Sequence, residues 1–209
     1  MPQPRTLKVI EVFPSVQGEG LRLGEPTIFV RLSGCNLRCT FCDTKYARRG
    51  GDERTPEEVI ALALAVRRRF PCRWVCLTGG EPLLQDIAAL TRGLKRNGFR
   101  VQVETNGTLR RPLTADWYSV SPKPPAFSVA PGLLSKAREV KLIVTRPLPF
   151  KDVQKVRLKF PSKTPLLLQP QSNADWSLRK SWTLLQRSLR AGLPNIRLTL
   201  QAHKVFKLP

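Results

Sequence analysis

The chain has 209 residues, 41% of them apolar, enough for one sizeable domain with its own core. No apolar run reaches the ~18 residues of a membrane span, and the opening "MPQPRTLKVIEVF" lacks the apolar stretch of a secretory leader. A soluble, cytoplasmic protein with a single domain over 1–209 and no membrane partner is therefore expected. The net charge is +21 and uneven: residues 1–105 carry 17 basic and 11 acidic side chains, residues 106–209 carry 19 and 4. Such a field attracts polyanions. Aromatic residues are few, however, and no basic run is interleaved with stacking side chains, so a solvated basic surface is favoured and no direct nucleic-acid partner is expected.

Short apolar runs predict strands over 6–13 and 27–34. A helix follows at Thr55-Pro56-Glu57-Glu58, which reads as an N-cap, a proline in the first turn and a capping-box glutamate. Val59, Ala63, Val66 and Phe70 form its apolar stripe, and Arg67, Arg68 and Arg69 sit in the last turn, where the helix dipole favours cations. A strand over 73–80 leads to a second helix, with Leu83, Ile87, Leu90 and Leu94 on one face and a stop at Asn97-Gly98. Strands over 99–107, 117–123, 139–145 and 165–170 come next, with a proline-rich loop at 121–135. A third helix is predicted from Asp175 to Gly192, its stripe made of Leu178, Trp182, Leu185 and Leu189, and a last strand over 196–201.

Alternating strands and helices mean a mostly parallel α/β sheet. The unusual residues keep to one end of it. Thr78-Gly79-Gly80-Glu81, Glu104-Thr105-Asn106-Gly107, Ser121-Pro122-Lys123 and Gln169 all fall at the C-terminal ends of predicted strands, where barrels and open sheets build their sites. One site assembled from many strands, in a barrel or partial barrel, is the reading.

Of five cysteines, Cys35, Cys39 and Cys42 fall within eight residues as C-x3-C-x2-C. A four-iron cubane wants a thiolate on each iron, so three cysteines leave one iron open to bind and reduce something. The competing reading is zinc, with a fourth ligand from Cys72, Cys76 or His203, although zinc sites usually pair ligands as C-x2-C. Cys72 and Cys76 are otherwise small buried hydrophobes.

The spacing of "FVRLSGCNLRCTFCDT" (29–44), followed by "LTGGEPLLQ" (77–85), resembles the radical S-adenosylmethionine (SAM) enzymes. More narrowly, "SVQGEG" (15–20), "VETNGT" (103–108), "VSPK" (120–123), "VKLIV" (140–144), "LLQP" (167–170) and "LQAHKVFKLP" (200–209) resemble the 7-carboxy-7-deazaguanine synthases. The resemblance spans nearly the whole chain. It implies a partial (β/α)6-type radical SAM barrel with extra N- and C-terminal strands. The implied enzyme is a lyase of queuosine and 7-deazapurine biosynthesis. It converts 6-carboxy-5,6,7,8-tetrahydropterin to 7-carboxy-7-deazaguanine and ammonia through a 5′-deoxyadenosyl radical, with SAM regenerated. A homodimer and an electron donor such as flavodoxin or ferredoxin are implied as partners.

Residue by residue, the resemblance makes Cys35, Cys39 and Cys42 the [4Fe–4S] ligands and Thr44 a ligand of Mg2+, a metal that commonly takes few protein ligands. It places Phe41, Cys42, Asp43, Gly80 and Asn106 against SAM, with Ser121, Pro122 and Lys123 after one strand and Gln169, Pro170, Gln171 and Ser172 after another. Gly79 and Gly80 lack side chains, so a ligand can approach the backbone. Val16, Gln17, Gly18 and Glu19 would meet the substrate, where a carboxylate such as Glu19 can accept two parallel bonds from the guanidine-like edge of a pterin. Arg31 suits the substrate carboxylate; Thr78, His203 and the terminal Pro209 complete the set. Two rivals stay open: an activase for a glycyl-radical enzyme, which shares the cysteine spacing, and a zinc-stabilised RNA-binding module, which the charge favours.

Overall fold

The structure, a computed structural model, describes residues 6–209. Strand β1 (Leu7–Val16) runs antiparallel to β2 (Pro26–Leu32), and β3 (Asp52–Arg54) pairs antiparallel with the other side of β1. Helix α1 (Pro56–Arg69), β4 (Trp74–Gly79), α2 (Ala88–Arg96), β5 (Arg100–Thr105), β6 (Trp117–Val120), the single-turn α3 (Pro131–Leu134), β7 (Ala137–Val144), α4 (Phe150–Lys159), β8 (Leu166–Pro170), α5 (Asp175–Arg190), β9 (Ile196–Leu198) and the short α6 (Ala202–Phe206) follow. The strands form one nine-stranded sheet in the order β3-β1-β2-β4-β5-β6-β7-β8-β9. Every pair from β2 to β9 is parallel. The sheet ends in two edges, β3 and β9, so it is an open, partial barrel with additional strands at both ends of the chain.

The parallel strands are two-faced, which the short apolar runs do not reveal. Ile28, Val30, Leu32, Val75, Leu77, Val101, Val103, Val120, Val140, Leu142, Val144, Leu166 and Leu168 are buried and belong to one core cluster. Because side chains alternate along a strand, the residues between them point the other way. Among them are Arg31, Thr78, Gln102, Glu104, Ser119, Glu139, Lys141 and Gln169, together with the apolar Phe29, Cys76, Ile143 and Leu167, and the register sets several side by side: Glu104 opposite Ser119, and Ser119 opposite Glu139. The barrel interior is thus mixed, with polar and charged groups concentrated where that face builds the site.

The predicted start of the first helix is present in full. Thr55 Oγ1 accepts from Glu58 N (3.2 Å) and Glu58 Oε2 accepts from Thr55 N (2.7 Å), a cap contributing about 0.5–2 kcal/mol. Arg67 in its last turn donates to the Asn97 carbonyl (2.9 Å) and lies 4.2 Å from the Phe99 ring centre, tying α1 to the turn before β5.

Two helix readings are corrected. The predicted second helix is broken: Leu83 sits in a separate 3-10 turn, Pro82–Leu84, and α2 begins only at Ala88. Glu81 caps that turn through Leu83 N (3.0 Å), while the Gln85 amide is taken by Lys8 N (2.8 Å) and the Ser33 carbonyl (2.9 Å), which holds the segment against β1. All four expected leucine and isoleucine side chains are nevertheless buried. In α5 the inward face is Ser177, Ser181, Leu184 and Ser188, whereas Trp182 and Leu189 are 55% and 63% exposed. The serines cost no unmet hydroxyls: Ser177 donates to Val144 O, and Ser181 and Ser188 donate to carbonyls one turn back, each at 2.7 Å. Small side chains let this helix lie close over β8, whose own leucines fill the space between. Strand β3 had no apolar signal and was not expected.

Candidate active site

The C-terminal ends of the parallel strands open on a cavity of about 400 Å³. Its geometry begins with two glycines. Gly79 has φ +132°, and a Cβ there would fall 2.0 Å from Leu32 O; a Cβ on Gly80 would fall 2.0 Å from Gly34 O. Gly80 N donates to Leu32 O (3.1 Å) and Glu81 N to Gly34 O (2.8 Å). The chain's own backbone, the start of the cysteine loop, therefore fills the space these glycines leave. Glu81 is fully buried and braces the next strand end, accepting from Leu83 N, Thr105 Oγ1 (2.8 Å) and Asn106 N (2.7 Å). Burial pushes its carboxyl up despite these bonds.

Cys35, Cys39 and Cys42 all line the cavity. Leu37 N points at Cys35 Sγ (3.4 Å), and Arg48 holds the loop by donating to Cys39 O (2.7 Å). Burial raises the Cys35 thiol, and Glu81, Cys39 and Cys42 add to it through their charge. Among the described residues, no group of three His, Cys, Asp or Glu side chains is placed to hold a single metal ion. Three thiols lining one cavity fit a multi-iron cluster, each on its own iron, better than one zinc. Cys76 is buried in the sheet and Cys72 half-buried at its far end; neither lines the cavity.

The same cavity is also lined by a charged knot. Lys141, 2% exposed, places Nζ 2.6 Å from Glu19 Oε2 and 2.5 Å from Glu104 Oε2. Glu104 Oε1 also accepts from Gln17 Nε2 (3.1 Å) and Gln102 Nε2 (3.0 Å), and Glu19 Oε1 from Gln201 Nε2 (2.8 Å). Burial alone would lower the Lys141 ammonium; Glu104, Glu19 and Glu139 overcome it and raise it well above its usual value. Burial likewise pushes Glu19 up, and the charge and hydrogen bond of Lys141, with Gln201, more than offset this.

Of the remaining sequence candidates, Val16, Gln17, Gly18, Arg31, Phe41, Asp43, Thr44, Thr78, Asn106, Ser121, Lys123, Gln169, Gln171, Ser172, His203 and Pro209 line the same cavity; Pro122 and Pro170 do not. Arg31 is bonded to Glu11 (2.6 Å) and sits 5.4 Å from the Phe13 ring centre. Asp43 accepts from Lys204 (2.8 Å), Gln201 (3.0 Å) and Thr44 (3.1 Å). His203 stacks so closely on the loop before Glu19 that a Cβ on Gly18 would lie 2.1 Å from its Nδ1. Pro209 O accepts from Ser15 Oγ at 2.9 Å. Gln169 Oε1 is buried without a partner among the described residues, an acceptor that a bound ligand would satisfy.

Sequence reasoning missed Lys141, Gln201, Lys204 and Arg48 in this cavity. Lys141 had a signal: a lysine in the middle of the apolar strand 139–145 has to be paired when buried.

The sequence model of the Radical SAM superfamily matches residues 29–122. A 7-carboxy-7-deazaguanine synthase of Methanospirillum hungatei is 38% identical over 217 residues, covering 99% of this chain and 88% of that protein. The chain belongs to the 7-carboxy-7-deazaguanine synthase family. A second synthase, from Caulobacter vibrioides, is 35% identical and covers 98% of this chain and 100% of its own. The crystal structure of QueE from Escherichia coli superposes with a TM-score of 0.79 at 29% identity, covering 95% of both chains. Membership of a family of radical SAM synthases accounts for one cavity lined by both the three thiols and the Glu19–Lys141–Glu104 group.

Proposed function

We infer that the chain is a radical SAM lyase that converts 6-carboxy-5,6,7,8-tetrahydropterin to 7-carboxy-7-deazaguanine and ammonia. One observation carries the reading: the thiol trio and the Glu19–Lys141–Glu104 knot line a single cavity at the strand ends. The first suits a centre that delivers an electron, and the second suits a ring bearing N–H donors. Family membership supplies the reaction class.

Cys35, Cys39 and Cys42 would hold a [4Fe–4S] cluster, which supplies the single electron that splits SAM into methionine and the hydrogen-abstracting adenosyl radical. Around them Phe41 and Asn106 offer SAM an aromatic face and an amide. Ser121 and Lys123 close one side, with Lys123 Nζ donating to Ser121 Oγ at 2.5 Å. Gln169, Gln171 and Ser172 close the other, and the unpartnered Gln169 oxygen is the acceptor waiting there. Gly80 and Asp43 line the cavity beside the cysteine loop and would meet SAM there. Pro122 and Pro170 act only by directing the backbone of their lining neighbours.

The substrate would lie between Arg31 and the charged knot. Arg31 answers its carboxylate, and Glu19, fixed by Lys141 and Gln201, accepts from its guanidine-like edge. Val16, Gln17 and Gly18 shape that wall, Thr78 and His203 supply further polar contacts, and Pro209 closes the cavity. Thr44 would give Mg2+ its protein ligand, the rest of the octahedron coming from substrate and water. The reading calls for an outside one-electron donor of flavodoxin or ferredoxin type.

The test is anaerobic reconstitution with iron and sulfide, followed by SAM, a reductant and the tetrahydropterin. Formation of 7-carboxy-7-deazaguanine is expected. A reconstituted four-iron protein that forms no deazapurine overturns the reading.

A further inference from the structure

We propose that Lys141 is a positioning residue for substrate recognition, holding the Glu19 and Glu104 carboxylates as two fixed, charged acceptors on one wall of the cavity. The proposal rests on the function proposed above and names how the same site selects its ligand.

The two carboxylates come from distant parts of the chain, Glu19 from the loop after β1 and Glu104 from β5, and one ammonium touches both. Lys141 is itself buried on β7. Each carboxylate keeps a second anchor on its other oxygen: Gln201 on Glu19, and Gln17 with Gln102 on Glu104. These anchors hold both where they line the cavity, their side chains 17% and 19% exposed. Without the cation, two like charges would share a largely buried site. Such pairs take up a proton and titrate as a unit at a raised pH. A protonated carboxyl turns one acceptor into a donor, which meets an N–H edge badly.

The charged and titratable groups facing Lys141 are Glu19, Glu104 and Glu139, with Lys123 after β6, Asp43 on the cysteine loop through its effect on Glu19, and Cys76 on β4. His203 lines the same cavity. The comparison that isolates Lys141 is therefore the ratio of variant to wild-type affinity as a function of pH, in which groups that Lys141 does not influence cancel.

The ligand for the test is 7-carboxy-7-deazaguanine, which presents the guanidine-like edge and does not itself titrate between about pH 6 and about pH 8.5. Its affinity for the cluster-reconstituted, SAM-bound enzyme is measured by anaerobic calorimetry across that range for wild type and Lys141→Met. The expected result is a ratio that worsens by about tenfold or more from high to low pH. A loss of equal size at every pH, or no loss, overturns the proposal and leaves Lys141 a structural strut. Should Lys141→Met not fold, Lys141→Met/Glu104→Gln removes the like-charge pair as well. The double variant then takes its place in the titration: a loss of affinity that no longer changes with pH supports the proposal, and a loss that still worsens at low pH, or no loss, contradicts it. A wild-type enzyme that binds no deazapurine sinks the proposed function instead.

Discussion

Gly80 and Gly34 are packed backbone to backbone, so closely that a Cβ on Gly80 would lie 2.0 Å from Gly34 O and 3.0 Å from Cys35 Cβ. The glycine turn is therefore the seat of the cysteine loop. Gly80→Ala must displace that loop, since a carbonyl cannot yield the way a flexible side-chain end can. The expected outcome is at least a severalfold fall in iron retained after reconstitution, measured per chain, with the far-UV spectrum unchanged. Full iron retention in Gly80→Ala would show that the loop seats elsewhere.

Glu81 joins that seat to β5 through three bonds to Leu83 N, Thr105 Oγ1 and Asn106 N. Removing a buried acceptor strands its donors at about 1–3 kcal/mol apiece. Glu81→Ala is expected to lose about 3 kcal/mol or more in urea unfolding. A loss below about 1 kcal/mol would mean that water replaces the carboxylate freely.

Asp116 gives a pH test. Burial raises its carboxyl, but bonds from Lys95 Nζ (2.6 Å) and Val101 N (2.8 Å) more than offset this and hold it below the usual carboxylate value. A carboxyl lowered in the folded state contributes stability above its unfolded value, and that stability is lost as pH falls through the folded value. The pair is partly exposed, so the size is about 1 kcal/mol at pH 7. Asp116→Asn should cost that much near neutrality, and the difference should shrink below about pH 4. A difference that does not change with pH would contradict the assignment.

The orientation of α5 separates two leucines that look alike in sequence. Leu184 is 3% exposed and Leu189 63%. Leu184→Ala should cost about 2–5 kcal/mol, and Leu189→Ala no more than about 0.5 kcal/mol, in chemical unfolding. A larger loss for Leu189→Ala than for Leu184→Ala would place the buried face where the apolar stripe suggested.

Much of this was legible because local signals agreed with the global fold. The Thr55 cap, the parallel strand rhythm and the concentration of polar residues at strand ends all led to elements that are present. The failures share a cause. Periodicity counts apolar residues, and α5 turns small polar serines inward because the sheet beneath already supplies the bulk. The break before Ala88 depends on Gln85 bonding to β1 and the next loop, a tertiary contact that no local window contains. The wall of the site was half visible: Glu19 was chosen for its motif, but its partner Lys141 was passed over inside an apolar run. Lysine on an interior strand is a polar-face marker, and the alternation around it, Glu139, Lys141 and Ile143 against Val140, Leu142 and Val144, was the sign that one face of the strand looks into a polar interior.

Cys35, Cys39 and Cys42 would hold a cubane whose fourth iron has no protein ligand. The most direct measurement is Mössbauer spectroscopy of the protein reconstituted anaerobically with enriched iron, before and after SAM is added. The expected spectrum is that of a [4Fe–4S] cluster in which one iron site in four shifts on SAM addition while the others stay. A spectrum with no cubane, or a cubane in which no site responds to SAM, would contradict it.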